Sequence, residues 1–169
     1  MGSTPAENAT FKGGSMTALA IHATSIVVNK QGVLIIGASG VGKSSLALEL
    51  IEQGAELISD DITFLSEKDG YLYASCDNKW QGSLEVRGFG IVQNIPFKSE
   101  VKIDYLIELV NEKIQRMPEQ IFQKVYCDIS IPAFKINKDE KYLPTLVKIA
   151  GKIVSKEVSL LSLNQNKEK

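Results

Sequence analysis

Nine residues, Gly37-Ala38-Ser39-Gly40-Val41-Gly42-Lys43-Ser44-Ser45, narrow the possible folds of this chain more than any other stretch. The first eight match the pattern G-x-x-x-x-G-K-[ST] in full. Glycines at these positions let successive backbone N–H groups point into one concavity that no Cβ obstructs. The surroundings suit the motif. VLIIG (residues 33–37) reads as a short buried strand before it, and SSLALELIEQG (residues 44–54) reads as a helix after it. In that helix Ala47, Leu50 and Ile51 share a face, and Gly54 is placed to end it. A strand–loop–helix of this kind holds the phosphates of a nucleotide on loop amides and the helix's positive end. Lys43 would then reach the β- and γ-phosphates, and the Ser44 hydroxyl would ligate Mg²⁺. The sequence contains no N-K-x-D run for guanine, which favours ATP or a site indifferent to the base.

Composition fits one such domain. The 169 residues are 44% apolar and 23% charged, with a net charge of −1, which argues for neither nucleic acid nor an anionic membrane as partner. No apolar stretch is long enough to span a bilayer and no secretory signal is visible. Cys76 and Cys127 are far apart and lack metal-type spacing, so they read as reduced thiols of a cytosolic protein. Residues 1–15, MGSTPAENATFKGGS, read as an expression leader before a native start at Met16. The domain is then expected over residues 16–169.

The rest of the chain alternates strand and helix signals. ALAIHATSIVV, the turn NKQG and VLIIG suggest a hairpin feeding the loop. AELISDDITFLS reads as the next strand and carries Asp60 and Asp61. Neighbours in a regular strand point to opposite faces, so both carboxylates can converge only where the strand breaks. Beside Mg²⁺ and phosphate, such a pair can divide labour, one holding metal and the other taking a proton. Taken alone, an Asp-Asp pair is more commonly a solvated acidic turn; its place one crossover after the loop favours the functional reading. LEVRGFGIV is glycine-punctuated, with Glu85 and Arg87 readable as a surface ion pair. VKIDYLIELV and KVYCDISIP alternate like strands, and apolar residues from Leu143 to Val154 form a helical stripe that runs on to about Leu163. The single histidine, His22, reads by itself as an ordinary half-buried side chain of a strand.

In order and spacing, His22, GASGVGKSSLALELIEQGAELISDD and LEVRGFGIV resemble the catalytic domain of HPr kinase/phosphorylase in its short bacterial form. The resemblance implies an α/β fold, a single P-loop domain with a mixed β-sheet flanked by helices. It implies a cytoplasmic, homo-oligomeric protein-serine kinase that uses ATP and Mg²⁺. The acceptor is a serine of HPr, a phosphocarrier of the sugar phosphotransferase system, and many members also run phosphorolysis back to pyrophosphate. Carried onto this chain, Lys43 contacts phosphate, Ser44 and Asp60 serve the metal with Glu85 assisting, and Asp61 is the general base. His22 supports the phosphate site and Arg87 steadies the transferring group. Arg116 is the only other arginine, so few forked cations exist to stabilise transition-state charge.

The chain departs from the long form of that family in two respects. An N-terminal domain like that of the long form is not expected, and IPAFKINKDE carries no arginine where the long form has an arginine- and glycine-containing loop. Those differences leave two rival readings: a nucleotide-binding regulatory module without transfer activity, and a P-loop kinase of a small metabolite.

Overall fold

A computed structural model describes residues 18–116 and 121–161. The leader at residues 1–15, the start at Met16 and Leu163 lie outside them. Three strands come first among the described residues: β1 (Leu19–His22), β2 (Thr24–Val28) and β3 (Gln31–Gly37). The NKQG turn joins β2 and β3 as an antiparallel hairpin, Val28 opposite Gln31, with Asn29 and Lys30 both at positive φ. This is the backbone of a tight hairpin turn whose twist suits the strands. Helix α1 (Lys43–Glu52) follows the loop and buries Leu46, Ala47 and Leu50. It ends where Gly54 donates to the Ile51 carbonyl.

Next come β4 (Glu56–Ser59), β5 (Ile62–Lys68) and β6 (Tyr71–Ser75). AELISDDITFLS is therefore two strands and not one. The chain turns sharply at Asp60-Asp61, and β4 pairs with β2 while β5 pairs with β1 and β6. A short 3₁₀ turn (Asn78–Trp80) leads into β7 (Leu84–Val86) and β8 (Gly90–Val92), a separate hairpin made from LEVRGFGIV. The long β9 (Glu100–Val110) precedes β10 (Phe122–Tyr126), β11 (Ile129–Asn137) and α2 (Leu143–Val154). KVYCDISIP is thus also folded back on itself. Its turn is Cys127-Asp128, both residues at positive φ. Helix α2 stops at Val154, short of the expected end, and Lys156 is at positive φ just beyond it.

Nine strands form one mixed sheet in the order β1-β5-β6-β9-β3-β2-β4, with β11 joined to β9 and β10 to β11. β3, β9 and β11 run parallel, and β2 lies antiparallel between β3 and β4. Both helices pack on one face. There Leu46, Leu50, Val147 and Ala150 share a core with Val33, Ile35, Tyr105 and Ile107. The other face is covered by the sheet itself, because β1, β5 and β6 curl over it and enclose Leu34, Leu65, Leu72, Ala74 and Leu106. The fold is therefore mixed α/β, as expected, with a curled sheet and its helices on a single side. Among the described residues no helix is long and apolar enough to cross a membrane.

Strand β9 holds the two cores together, and its alternation is not continuous. Gly32 pairs with Ile103 but Val33 pairs with Tyr105, so Asp104 is an extra residue in β9. Such a bulge inverts the alternation. Ile103 and Leu106 accordingly face the sheet-enclosed core, while Tyr105, Ile107 and Leu109 face the helices. The bulge is satisfied locally: Asp104 Oδ2 accepts the Gly32 amide at 2.9 Å. A Cβ on Gly32 would lie 2.1 Å from the Lys102 carbonyl oxygen, so no other residue fits there.

Tyr105 anchors α2. Its buried hydroxyl donates to the Val147 carbonyl at 2.9 Å, and its ring stands edge-on to Phe134 at 6.2 Å. Burial pushes its phenol well above the usual range, so it stays a neutral donor. Tyr105→Phe keeps the packing and removes one bond of this kind, which contributes about 1 kcal/mol. We expect unfolding in urea to report a loss of about 1 kcal/mol, seen as a lowered midpoint with an unchanged denaturant slope.

Candidate active site

The loop after β3, the Asp60-Asp61 turn and the end of β1 meet at one end of the strands. Helix α1 is preceded by Gly42, whose φ of 113° is open to glycine but strained for any side chain, and no side chain caps the helix. Its first amides therefore keep their donor capacity for whatever sits in the loop. Ala38, Ser39, Gly40 and Ser45 are exposed, whereas Val41 packs on the helix-side core. Lys43 is buried, and its Nζ donates to the carbonyls of Gly37 (2.9 Å) and Ala38 (3.0 Å). Burial lowers its affinity for a proton, against the opposing pull of Asp61 and Asp60. The ammonium is drawn in over the loop, with two carboxylates as its nearest counter-charges.

Asp60 is the hub. Its Oδ1 accepts the Ser44 hydroxyl at 2.7 Å and the Thr24 hydroxyl at 3.1 Å. Its Oδ2 accepts the backbone amide of Glu85 at 3.2 Å. Asp61 points elsewhere. It takes φ 67°, the left-handed region that a residue with a Cβ enters at a cost. The turn is held by the Ile62 amide on the Asp60 carbonyl (2.8 Å), the Ala23 amide on the Asp61 carbonyl (3.0 Å) and the Ser59 hydroxyl on the Ile62 carbonyl. Its carboxylate is exposed and lies 3.1 Å from Nδ1 of His22 at the end of β1.

Of the residues expected from sequence, the structure brings together His22, Lys43, Ser44, Asp60 and Asp61. Glu85 reaches the cluster through its backbone amide, while its side chain is exposed. Arg87 is exposed at the tip of the β7–β8 hairpin, and no described contact joins it to the carboxylates. No group of three or more His, Cys, Asp or Glu side chains is gathered for metal among the described residues. Thr24 was not foreseen. The available signal was the polar pair Thr24-Ser25 inside an apolar strand; both are fully buried, the Thr24 hydroxyl bonded to Asp60 and the Ser25 hydroxyl to Thr63 of β5.

Comparison with known proteins places the chain in a family. The family profile described as HPr Serine kinase C-terminal domain matches residues 15–151. The chain belongs to that family. HPr kinase/phosphorylase of Clostridium botulinum (strain Eklund 17B / Type B) is 47% identical over 72 residues, 43% of this chain and 24% of that one. The protein of the same name from Geobacter sulfurreducens is 29% identical over 144 residues, 78% of this chain and 45% of that one. The chain thus spans less than half the length of these curated relatives. Among solved structures, the Hpr(Ser) kinase/phosphatase from Coxiella burnetii matches with a TM-score of 0.72 at 25% identity, covering 82% of this chain and 99% of that one.

The strained position in this HPr Serine kinase C-terminal domain is open to a direct check. Asp61→Gly and Asp61→Ala lose the same carboxylate, but only glycine is at ease at φ 67°. The glycine variant should be the more stable by about 1 kcal/mol in urea unfolding. An alanine variant of equal or greater stability would remove the strain from this account.

Proposed function

We propose that the protein is an ATP-dependent, Mg²⁺-requiring kinase that phosphorylates a serine of HPr or a related phosphocarrier. The observation that carries this reading is the division of the two aspartates. Asp60 is bonded to the loop serine, and Asp61 is turned out to the open side beside His22. One carboxylate is spoken for by the loop and the other is free to meet a hydroxyl.

The donor set fits Mg²⁺. Oxygens about 2.1 Å from an octahedral Mg²⁺ stand roughly 3 Å apart. The Ser44 and Asp60 oxygens, at 2.7 Å, already have nearly that separation. Bound there, the ion would neutralise charge on the phosphates. Glu85 would join only by a side-chain movement, most simply through a water.

The chain's own residues would then act as follows. Loop amides 38–45 and Lys43 hold the phosphates of ATP, Lys43 exchanging its two carbonyl contacts for phosphate oxygens. Burial of Lys43 makes that exchange favourable, because a partly desolvated ammonium gains most from an anion. Asp61 accepts the proton of the acceptor serine as its oxygen bonds to the γ-phosphorus, and the bond from that phosphorus to the β,γ-bridging oxygen breaks. His22 positions Asp61 through the 3.1 Å contact. Arg87, on its exposed hairpin, would fold over the transferring group. With inorganic phosphate as acceptor, the same groups could return phosphoserine to serine. Family resemblance supports two further parts of the proposal, a cytoplasmic location and a homo-oligomeric assembly.

The deciding experiment is intact-mass analysis of HPr after incubation with the protein and Mg-ATP. We expect one added phosphate, on serine. Lys43→Ala should abolish it, and Asp61→Asn should slow it by about 10²–10⁴-fold while leaving Mg-ATP binding in place. No transfer despite Mg-ATP binding would overturn the kinase reading.

A further inference from the structure

Against the Asp60-Asp61 turn lies a pocket of about 320 Å³. That is near the lower end of the range for binding sites, roughly 300–1,000 Å³. No residue of the 37–45 loop lines it. Ser59, Asp60, Asp61 and Cys76 form one side, and Ile62, Trp80, Leu84 and Ile91 supply apolar walls. Three of those walls are open to solvent: Ile62 is 50% exposed, Trp80 47% and Ile91 57%. Trp80 is placed by the 3₁₀ turn, in which Asp77 Oδ1 accepts the Lys79 amide at 3.1 Å and the Ser83 amide returns to the Trp80 carbonyl at 3.1 Å. The Lys79 ammonium sits 5.7 Å from the centre of the indole ring. Ile91 comes from β8, across the hairpin from Glu85.

We infer that this pocket seats the segment of the acceptor protein next to its reactive serine, and that an apolar side chain of that segment packs between Trp80 and Ile91. The inference rests on the kinase reading above. Two observations place the acceptor here and not the nucleotide. The Asp60 carboxylate divides the space: Oδ1 faces the loop through Ser44, and Oδ2 faces the pocket side through Glu85. Phosphoryl transfer requires the attacking oxygen and the leaving oxygen to lie roughly in line, on opposite sides of phosphorus. With the phosphates on the loop, a hydroxyl must approach from the pocket side to meet Asp61. The pocket walls then select what flanks that hydroxyl. Exposed indole and isoleucine faces gain from burying an apolar group, and the carboxylates at the floor need only the hydroxyl.

Trp80 is the only tryptophan in the chain and so reports on the pocket directly. Purified HPr, with its own emission subtracted, is titrated into the protein in the presence of Mg-ADP. The expected result is a blue shift of Trp80 emission that saturates with HPr, whereas Mg-ADP alone leaves the emission unchanged. Ile91→Ser, at a position more than half exposed where the fold should tolerate it, should raise the KM for HPr about tenfold or more with kcat and Mg-ATP affinity unchanged. A shift produced by Mg-ADP alone would assign the pocket to the nucleotide and overturn the inference. So would a silent Trp80 titration, or an Ile91→Ser protein with unaltered KM. Should HPr shift Trp80 emission without being phosphorylated, the kinase reading fails while the docking assignment stands. Phosphorylation with a silent Trp80 gives the reverse.

Discussion

The carboxylate of Asp60 is where the separate parts of this molecule meet. One oxygen accepts from Thr24 on β2 and Ser44 on α1, and the other accepts from the backbone of Glu85 on β7. Three elements far apart in sequence are thereby referred to a single side chain. A carboxylate suits that task because it is acceptor-only, with room for about four donors across two oxygens, and charge-assisted bonds of this kind are the strong ones. Its position in turn depends on the strand break. Were β4 to run on into β5, Asp60 and Asp61 would face opposite sides of the sheet, and the loop and the open side could not both be served.

The break is held by three hydrogen bonds to its backbone carbonyls. The Ala23 amide, the Ile62 amide and the Ser59 hydroxyl all close on carbonyls of the turn, so the left-handed conformation at Asp61 is over-determined by its surroundings. Strain of this sort persists only where neighbours hold it, and it concentrates at sites that use a side chain. Lys43 follows the same logic in another form. It is a cation kept from water, bonded to loop carbonyls and under the pull of two carboxylates.

What could be read from the sequence was what local chemistry decides. The loop and its helix and the NKQG hairpin rest on residues close together in the chain, whereas the break at Asp60-Asp61 was read only as a condition for the two carboxylates to converge, within what looked like a single strand. Features decided by distant partners were not legible. The alternation through residues 101–109 looked continuous because one additional residue, Asp104, leaves the apolar spacing intact while reversing the face it serves. The turn at Cys127-Asp128 carries no glycine to mark it, although both residues adopt positive φ. The same silence hides the end of α2 at Lys156. Thr24 looked like filler in a β-branched strand, and only the fold shows its hydroxyl turned to Asp60. The side chains of Glu85 and Arg87 lie on an exposed hairpin that resemblance could name but not place.

The parallel pairing of β3 with β9 also bears on the order in which the molecule assembles. Strand β3 leads directly into the loop, yet one of its two neighbours is β9, where Gly32 meets Ile103. The hairpin with β2 can form early because it closes a short turn. The β9 side must await a crossover through most of the domain, and contacts of such sequence separation form slowly. During synthesis the loop would therefore leave the ribosome on a half-paired strand, its apolar Val33, Leu34 and Ile35 uncovered until β9 arrives. Competence to hold a ligand at the loop is then among the last properties the folding chain acquires.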